Sequence, residues 1–279
     1  HSFPILRAQL SQVAQLLAQY GVTVPPLAGK LQGKTSLQLL AGQLRLDGDV
    51  NGQALQLAGL RAQRLALQLH TVDLTGKVSL QASGLAGLPL GISQVTVSAD
   101  GSRQQLAVRA AGQAAEQRQF ALQLTGRPTF KGSTLQSVQA QLSELRLQQR
   151  QDVLQLQSPA QVAVDLVHAA GPILDLHQVA LRFGEQHVKL DAHVELKSKR
   201  LRVDLDGTAL DLGRLAALVG VTTVPKTQLT LHAQLAGTWL SPTGNIELSG
   251  STQAAPALHL PATQLELHTK LGAQRAQGE

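Results

Sequence analysis

From residue 187 to 208 the chain reads HVKLDAHVELKSKRLRVDLDGT, with apolar and polar residues in strict alternation. Val188, Leu190, Ala192, Val194 and Leu196 occupy every second position, and His187, Lys189, Asp191, His193, Glu195 and Lys197 lie between them. Successive side chains of a strand point to opposite faces, so this stretch has one apolar face and one charged face. After Ser198-Lys199-Arg200 the pattern resumes with Leu201, Val203 and Leu205.

A period of two governs most of the chain from about residue 34 onward. Leu37 and Leu39, Leu44 and Leu46, and Leu55 and Leu57 open the series, and Leu65, Leu67 and Leu69 continue it. Leu174 and Leu176, Leu181 and Phe183, Leu229 to Leu235, and Leu265 and Leu267 belong to its later part. Turn signals such as LDGDVNGQ, TGRPTFKGS, RFGEQ and SPTGN separate the runs. The pattern predicts about nineteen short strands at meander or sandwich spacing. No long helices alternate with them, which argues against a parallel α/β sheet.

Two places depart from the strand pattern. Over residues 4 to 20, Leu6, Leu10, Val13, Leu16, Leu17 and Tyr20 share one helical face, with Pro4 suited to a first turn and Gly21 to the residue past the end. Residues 210 to 220, LDLGRLAALVG, are helical in pattern again, with Leu212, Leu215, Ala216 and Val219 on one side. The segments LLAQYGVTVPPLAG at 16 to 29 and LAALVGVTTVP at 215 to 225 repeat one cassette: a helix ending at Gly, a Val-Thr segment, then Pro.

The apolar residues are of an unusual kind. Aromatics are 2% of 279 residues, and there is no Met or Cys, so Leu, Val and Ala must supply nearly all packing area. The lack of Cys excludes a disulfide scaffold and thiolate metal sites. Net charge is +6, but no aromatic stacking platform or basic helix accompanies it, which argues against nucleic acid as a partner. No apolar run approaches the ~18 residues of a membrane span. The chain begins at His1, and the expectation is an internal piece of a longer protein whose membrane anchor lies elsewhere.

Catalytic constellations are missing: no phosphate loop, no GxSxG, no HExxH and no Cys nucleophile, so no enzyme is expected and no cofactor or metal is assigned. His187 and His193 lie roughly 20 Å apart along one strand, too far for a shared metal. His168 and His177 could meet across a hairpin, without supporting carboxylates. Asp204, Asp206 and Asp211 read as a solvated turn or a helix cap rather than a calcium site. Lys197, Lys199, Arg200 and Arg202 form the densest basic patch, a solvated outer face with weak contact to anionic headgroups as its functional reading.

A long sheet with a smooth Leu and Val face must curl to hide it. If the strands hydrogen-bond in sequence at ~4.8 Å each, the sheet reaches roughly 90 Å, and curling makes an aliphatic trough. Such a trough suits acyl chains, since exposing about sixteen carbons to water costs on the order of 12 kcal/mol. The expected lining is Leu174, Leu176, Val188, Leu190, Val194 and Leu196, then Leu201, Val203, Leu205, Leu229, Leu231 and Leu235. A core filled only by the chain's own side chains stays open as the plainer reading.

The segment LDLGRLAALVG, followed by TVPKTQLTLHAQLAGTWLSPTGNIELSG, resembles the repeating unit of the AsmA-like superfamily, most closely its TamB branch. Gln228 through Thr238 and Pro242 through Leu248 carry that likeness, and GKLQGKTSLQLLAGQLRLDGDV is a weaker copy. The resemblance implies a mainly β fold: an elongated, curled, antiparallel-rich sheet (a β-taco) with a lipid-sized hydrophobic groove and short amphipathic helices. It divides the chain into helix and linker (1–33), taco section (34–207), helical interruption (208–225) and continuation (226–279). It also implies a periplasmic segment of an inner-membrane-anchored bridge that carries phospholipid acyl chains to the outer membrane. The partner implied is a BamA-type (TamA-like) outer-membrane barrel, as in a translocation and assembly module. A scaffold or chaperone whose sheet edges template outer-membrane proteins or autotransporters is the alternative.

Overall fold

A computed structural model describes residues 2–9, 27–40, 43–57, 60–73, 75–88, 91–132, 134–169, 171–218, 224, 226–253, 262–272 and 276–278. Among them are eighteen β-strands, one α-helix and one 3-10 turn, so the chain is mainly β, as the alternation predicts. It divides into two compact units, His1–Gln123 and Leu124–Glu279.

The first unit is an antiparallel meander. Its strands are β1 (Ser2–Gln9), β2 (Leu27–Leu40), β3 (Gln43–Leu57), β4 (Leu60–Val72), β5 (Thr75–Ser83), β6 (Ile92–Gly101) and β7 (Leu106–Ala114). Each pairs with the next. The registers stack Val50, Leu67, Leu80, Val97 and Ala110 in one row, while Asp49, Gln68, Ser79, Ser98 and Arg109 form a row of the opposite face. Ala82 is the one fully buried hydrophobic side chain of this unit among the described residues. Its aliphatic rows are only partly covered. The next strand, β8 (Arg118–Lys131), carries the chain across the unit boundary.

The helix expected over residues 4 to 20 is not what residues 2–9 form: they are strand β1 on the edge of β2, and the rest of that segment lies outside the described residues. An open strand edge offers ladder hydrogen bonds to the incoming backbone, whereas a short helix must nucleate alone. Pro4, which has no N–H to give, falls where the register shifts between Phe3 and Leu6.

The second unit begins with β9 (Thr134–Gln149), β10 (Asp152–Leu156), β11 (Ala160–Asp165) and β12 (Ile173–Phe183). The two short strands β10 and β11 share one lane between β9 and β12. Ser158-Pro159 interrupts that lane, where a proline would otherwise remove a ladder bond. A meander follows: β13 (Gln186–Glu195), β14 (Arg200–Leu210), β15 (Thr227–Thr238), β16 (Ser241–Thr252), β17 (Thr263–Leu271) and β18 (Ala276–Gly278). Strands thus run across the sequence divisions at residues 33 and 207, since β2 covers Leu27–Leu40 and β14 covers Arg200–Leu210.

Three bulges keep the apolar face in phase. At His177-Gln178, Thr208-Ala209 and Ala54-Leu55, two residues oppose one on the neighbouring strand. Gln178, Ala209 and Ala54 have φ of 59°, 54° and 49°, the left-handed backbone conformation that a bulge residue can take. The last two bulges share the sequence Gly-x-Ala-Leu, at 52–55 and 207–210. In each the leucine folds back over the glycine: a Cβ on Gly52 or Gly207 would stand 2.6 Å from Leu55 Cδ1 or Leu210 Cδ1.

Helix α1 (Leu212–Leu218) falls within the expected span of 210 to 220 but starts two residues later, because Leu210 still belongs to β14; residues 219 and 220 lie outside the described residues. Asp211 caps it, accepting the Arg214 N–H at 3.2 Å, while the Leu212 N–H donates to Thr227 Oγ1 at 2.8 Å. The buried Gln186 side chain accepts the Asp211 N–H at 2.8 Å. The helix turns Leu218, 2% exposed, inward, whereas Leu212 of the expected apolar side is 38% exposed. Leu210, Leu229, Ala233, Val179 and Phe183 are buried on β12, β14 and β15, and Leu142 is buried on β9. Arg214 lies over the Phe183 ring at 4.8 Å, a cation–π contact, and also pairs with Asp152.

Replacing Gly207 by Val drives a side chain into Leu210 and is expected to cost ~1–3 kcal/mol in urea melts. Ala209→Gly suits the positive φ and is expected to cost nothing there. Equal losses from both variants would contradict the bulge packing described.

Candidate functional site

The twelve residues expected to line an aliphatic face lie, apart from Leu196, on four adjacent strands. Leu174 and Leu176 are on β12, Val188, Leu190 and Val194 on β13, Leu201, Val203 and Leu205 on β14, and Leu229, Leu231 and Leu235 on β15. The registers align them into rows. Leu174, Val194 and Leu201 form one; the next runs Leu176, Ala192, Val203, Leu235, Gly244. Leu190, Leu205, Ala233 and Ile246 form a third, and Val188, Gly207, Leu231, Leu248 and Leu267 a fourth. Leu196 belongs to the turn after β13 and is 50% exposed, so it stands off the stripe. There the backbone has left the strand, and alternation no longer sets the direction of a side chain.

Leu229 alone of these residues is fully buried, beside Leu210 at the helix end. The others on the stripe keep partial exposure, as do Ala192, Ile246 and Leu248. Among the described residues, this face is fully buried at Val179, Phe183, Leu210, Leu229 and Ala233, and again at Leu142 of β9 and Ala160 of β11. Sequence reading missed Val179 and Leu181 as members of the stripe, because the bulge at His177-Gln178 shifts the phase within β12. The three-residue step from Leu176 to Val179 was the available signal.

The opposite face is polar and laced with cross-strand ion pairs. One row reads Lys189, Asp206, His232, Glu247, His268 across β13 to β17. His232 donates from Nδ1 to Asp206 at 2.5 Å, and His193 from Nδ1 to Asp175 at 2.5 Å. In the first unit His70 and Arg45 both hold Asp47. Asp191 lies 3.5 Å from His177 and accepts the Gln178 N–H at 3.0 Å, which satisfies the bulge. His177 therefore faces Asp191, not His168, and its backbone partner on β11 is Gln161.

These contacts set protonation. The hydrogen bond to Asp206 raises the His232 pKa above its usual 6.5, with the charges of Asp206, Asp204 and Glu247 adding to it against partial desolvation. Arg45 and then His70 hold the Asp47 carboxyl below its ordinary range. Hydrogen bonding from Ser198 does the same for Glu195. Asp204 and Asp206 sit on strand β14 rather than in a turn, and with His232 they bring one ligand atom each within 4.8 Å of one another. Asp204 and Asp206 are exposed, and the His232 nitrogen is already committed to Asp206, so this group would have to break an ion pair to take a cation.

Open depressions lie over this polar side. One of about 900 Å³ in the first unit is lined by Asp47, Gln68, His70, Lys77, Asp100 and Arg109, among others. One of about 570 Å³ in the second is lined by Asp175, His177, His193, Arg202 and Asp204, among others. No described helix is long and apolar enough to cross a membrane. No family model, curated protein or solved structure matches the chain.

Because its folded pKa is raised, the His232–Asp206 pair supports the fold fully below the unfolded pKa of about 6.5 and loses that support as pH rises through the folded value. In an NMR titration of the imidazole, Asp206→Asn is expected to move the His232 midpoint down. An unchanged midpoint would mean that Asp206 is not the partner in solution.

Proposed function

We propose that this chain is a periplasmic section of a bridge-like lipid-transport protein of the AsmA-like type, with a curled sheet whose aliphatic face forms a groove for phospholipid acyl chains. The observation that carries the reading is the partly exposed stripe: Leu, Val and Ala rows run in register through β12 to β17, and among the described residues of these strands full burial of hydrophobic side chains on this face is limited to Val179, Phe183, Leu210, Leu229 and Ala233. A sheet normally packs its apolar face on a second layer. Here the side chains are branched and aliphatic, with almost no aromatic rings to interdigitate, and they make a smooth surface suited to methylene chains. Each methylene withdrawn from water contributes ~0.8 kcal/mol, so a partly exposed leucine face and an acyl chain stabilise each other. The charged opposite face keeps the sheet wetted. In this reading a BamA-type barrel is the outer-membrane partner of the full-length protein.

A second reading, a scaffold that templates outer-membrane strands, draws on a different observation. Strand β18 pairs with β17 only through Thr269, Lys270 and Leu271, so the stretch Thr263–His268 has no described partner on that side. Unpaired strand edges accept added strands.

A photo-crosslinking residue at Leu190 is expected to capture phospholipid, and one at Lys189, on the opposite face of the same strand, is not. Acidic substitution at Leu190 or Val194 is expected to impair lipid transfer several-fold more than substitution at Lys189 or Glu195. Equal capture at 189 and 190, or none at either, rejects the lipid face. Loss of function from prolines at Gln264 or Glu266, with tolerance of acids at Leu190, would favour the scaffold.

A further inference from the structure

We infer that one end of the second unit is a docking surface for an anionic bilayer, built from the turns between β11 and β12, β13 and β14, and β15 and β16. This surface is independent of whether the aliphatic face carries lipid. The last paired row before these turns contains Asp165, Ile173, Glu195, Arg200, Thr238 and Ser241, so all three turns project from the same end of the sheet. Backbone hydrogen bonds tie them together. The Leu196 N–H donates to the Pro172 carbonyl at 3.0 Å, and the Trp239 N–H donates to the Lys199 carbonyl at 3.0 Å.

What this end exposes differs from the rest of the unit. Trp239 is 50% exposed and Leu240 87%, side by side at a hairpin tip. Leu196 is 50% and Val167 54% exposed on the adjoining turns. The basic residues Lys197, Lys199 and Arg200 stand among them, all exposed. Glu195, the acid of that hairpin, is engaged by the Ser198 hydroxyl at 2.6 Å. The other end of the same strands is closed by α1, with Leu218 and Leu210 buried and Asp211 and Thr227 satisfying the backbone. One end is capped and the other is not.

Exposed indole and leucine at a tip, flanked by lysines, match the chemistry of a membrane interface. An indole places its ring at headgroup level with its N–H toward water. Lysine stems lie along apolar surface while their ammonium groups reach anionic phosphates. A two-residue tip beyond the last strand pair reaches the shallow depth at which interfacial segments seat. A protein partner would also want apolar area, but the basic rim selects an anionic surface, and the narrow row of turn tips suits a shallow plane.

Trp239 is the single Trp of the chain, so its emission reports this tip alone. The full chain is mixed with vesicles of phosphatidylcholine, with or without phosphatidylglycerol, and with brominated lipids of each kind. Expected are a blue shift and bromine quenching on the anionic vesicles, weak or absent on neutral ones and reduced by salt. Lys197→Gln with Lys199→Gln is expected to weaken partitioning about 25-fold, at roughly fivefold for each lysine near an anionic surface. Leu240→Asp is expected to abolish quenching, with the β-sheet circular dichroism unchanged so that misfolding is excluded. Unchanged emission on every vesicle would overturn the inference, and so would a shift indifferent to lipid charge and to both lysines. A blue shift that grows with protein concentration in the absence of lipid would overturn it too, by assigning the tip to a second copy of the chain.

Discussion

An aliphatic sheet face in contact with water is the constraint on which the rest of this protein depends. Backbone ladders hold the meander together strand by strand, but they do nothing for the leucines and valines projecting from one side. In the first unit Ala82 is the one fully buried hydrophobic side chain among the described residues. In the second, full burial on this side is reached at Leu210, Leu229, Ala233, Val179 and Phe183 on β12 to β15, and at Leu142 and Ala160 on β9 and β11. A sheet arranged in this way relies on shielding between neighbouring side chains and on whatever else contacts the face. The proposed acyl-chain cargo supplies that contact without a second protein layer.

Keeping so long a face in phase requires corrections, because a one-residue slip turns every side chain to the other side. The bulges at Ala54, Gln178 and Ala209 absorb such slips, and each has a local device that stabilises it. Asp191 accepts the Gln178 N–H freed by the bulge. Leu55 and Leu210 fold over Gly52 and Gly207, filling space that any larger residue would block. The polar face adds cross-strand pairs of histidine with carboxylate, from His70 with Asp47 to His232 with Asp206. These pairs are exposed and individually weak, and they favour the aligned register over its alternatives.

Much of this was legible in the sequence. The alternation at Val188, Leu190, Ala192 and Val194 determined strands, the faces to which they assign residues and the aliphatic character of one face, because a period of two has no other regular solution. The helix at 212–218 was legible from its three- and four-residue spacing. Within a strand, however, alternation does not show where the phase breaks. Leu174 and Leu176 were separated from Leu181 and Phe183, although all four lie on β12, because the bulge between them is a backbone event that satisfies its hydrogen bond on another strand.

Only the tertiary structure decided which residues meet. Residues 2–9 became an edge strand rather than a helix because β2 offered a ladder, which no local pattern records. Leu196 left the stripe because the chain turned there, and Trp239 came beside Lys199 because β14 and β15 are neighbours although Arg200 and its partner Thr238 lie 38 positions apart in sequence. His177 met Asp191 for the same reason. The sequence by itself determined that this protein is a sheet with an aliphatic side, since periodicity is local. The pairing of strands decided which end is capped by a helix and which presents Trp239, Leu240 and the lysines, since register and contact are set by partners distant along the chain.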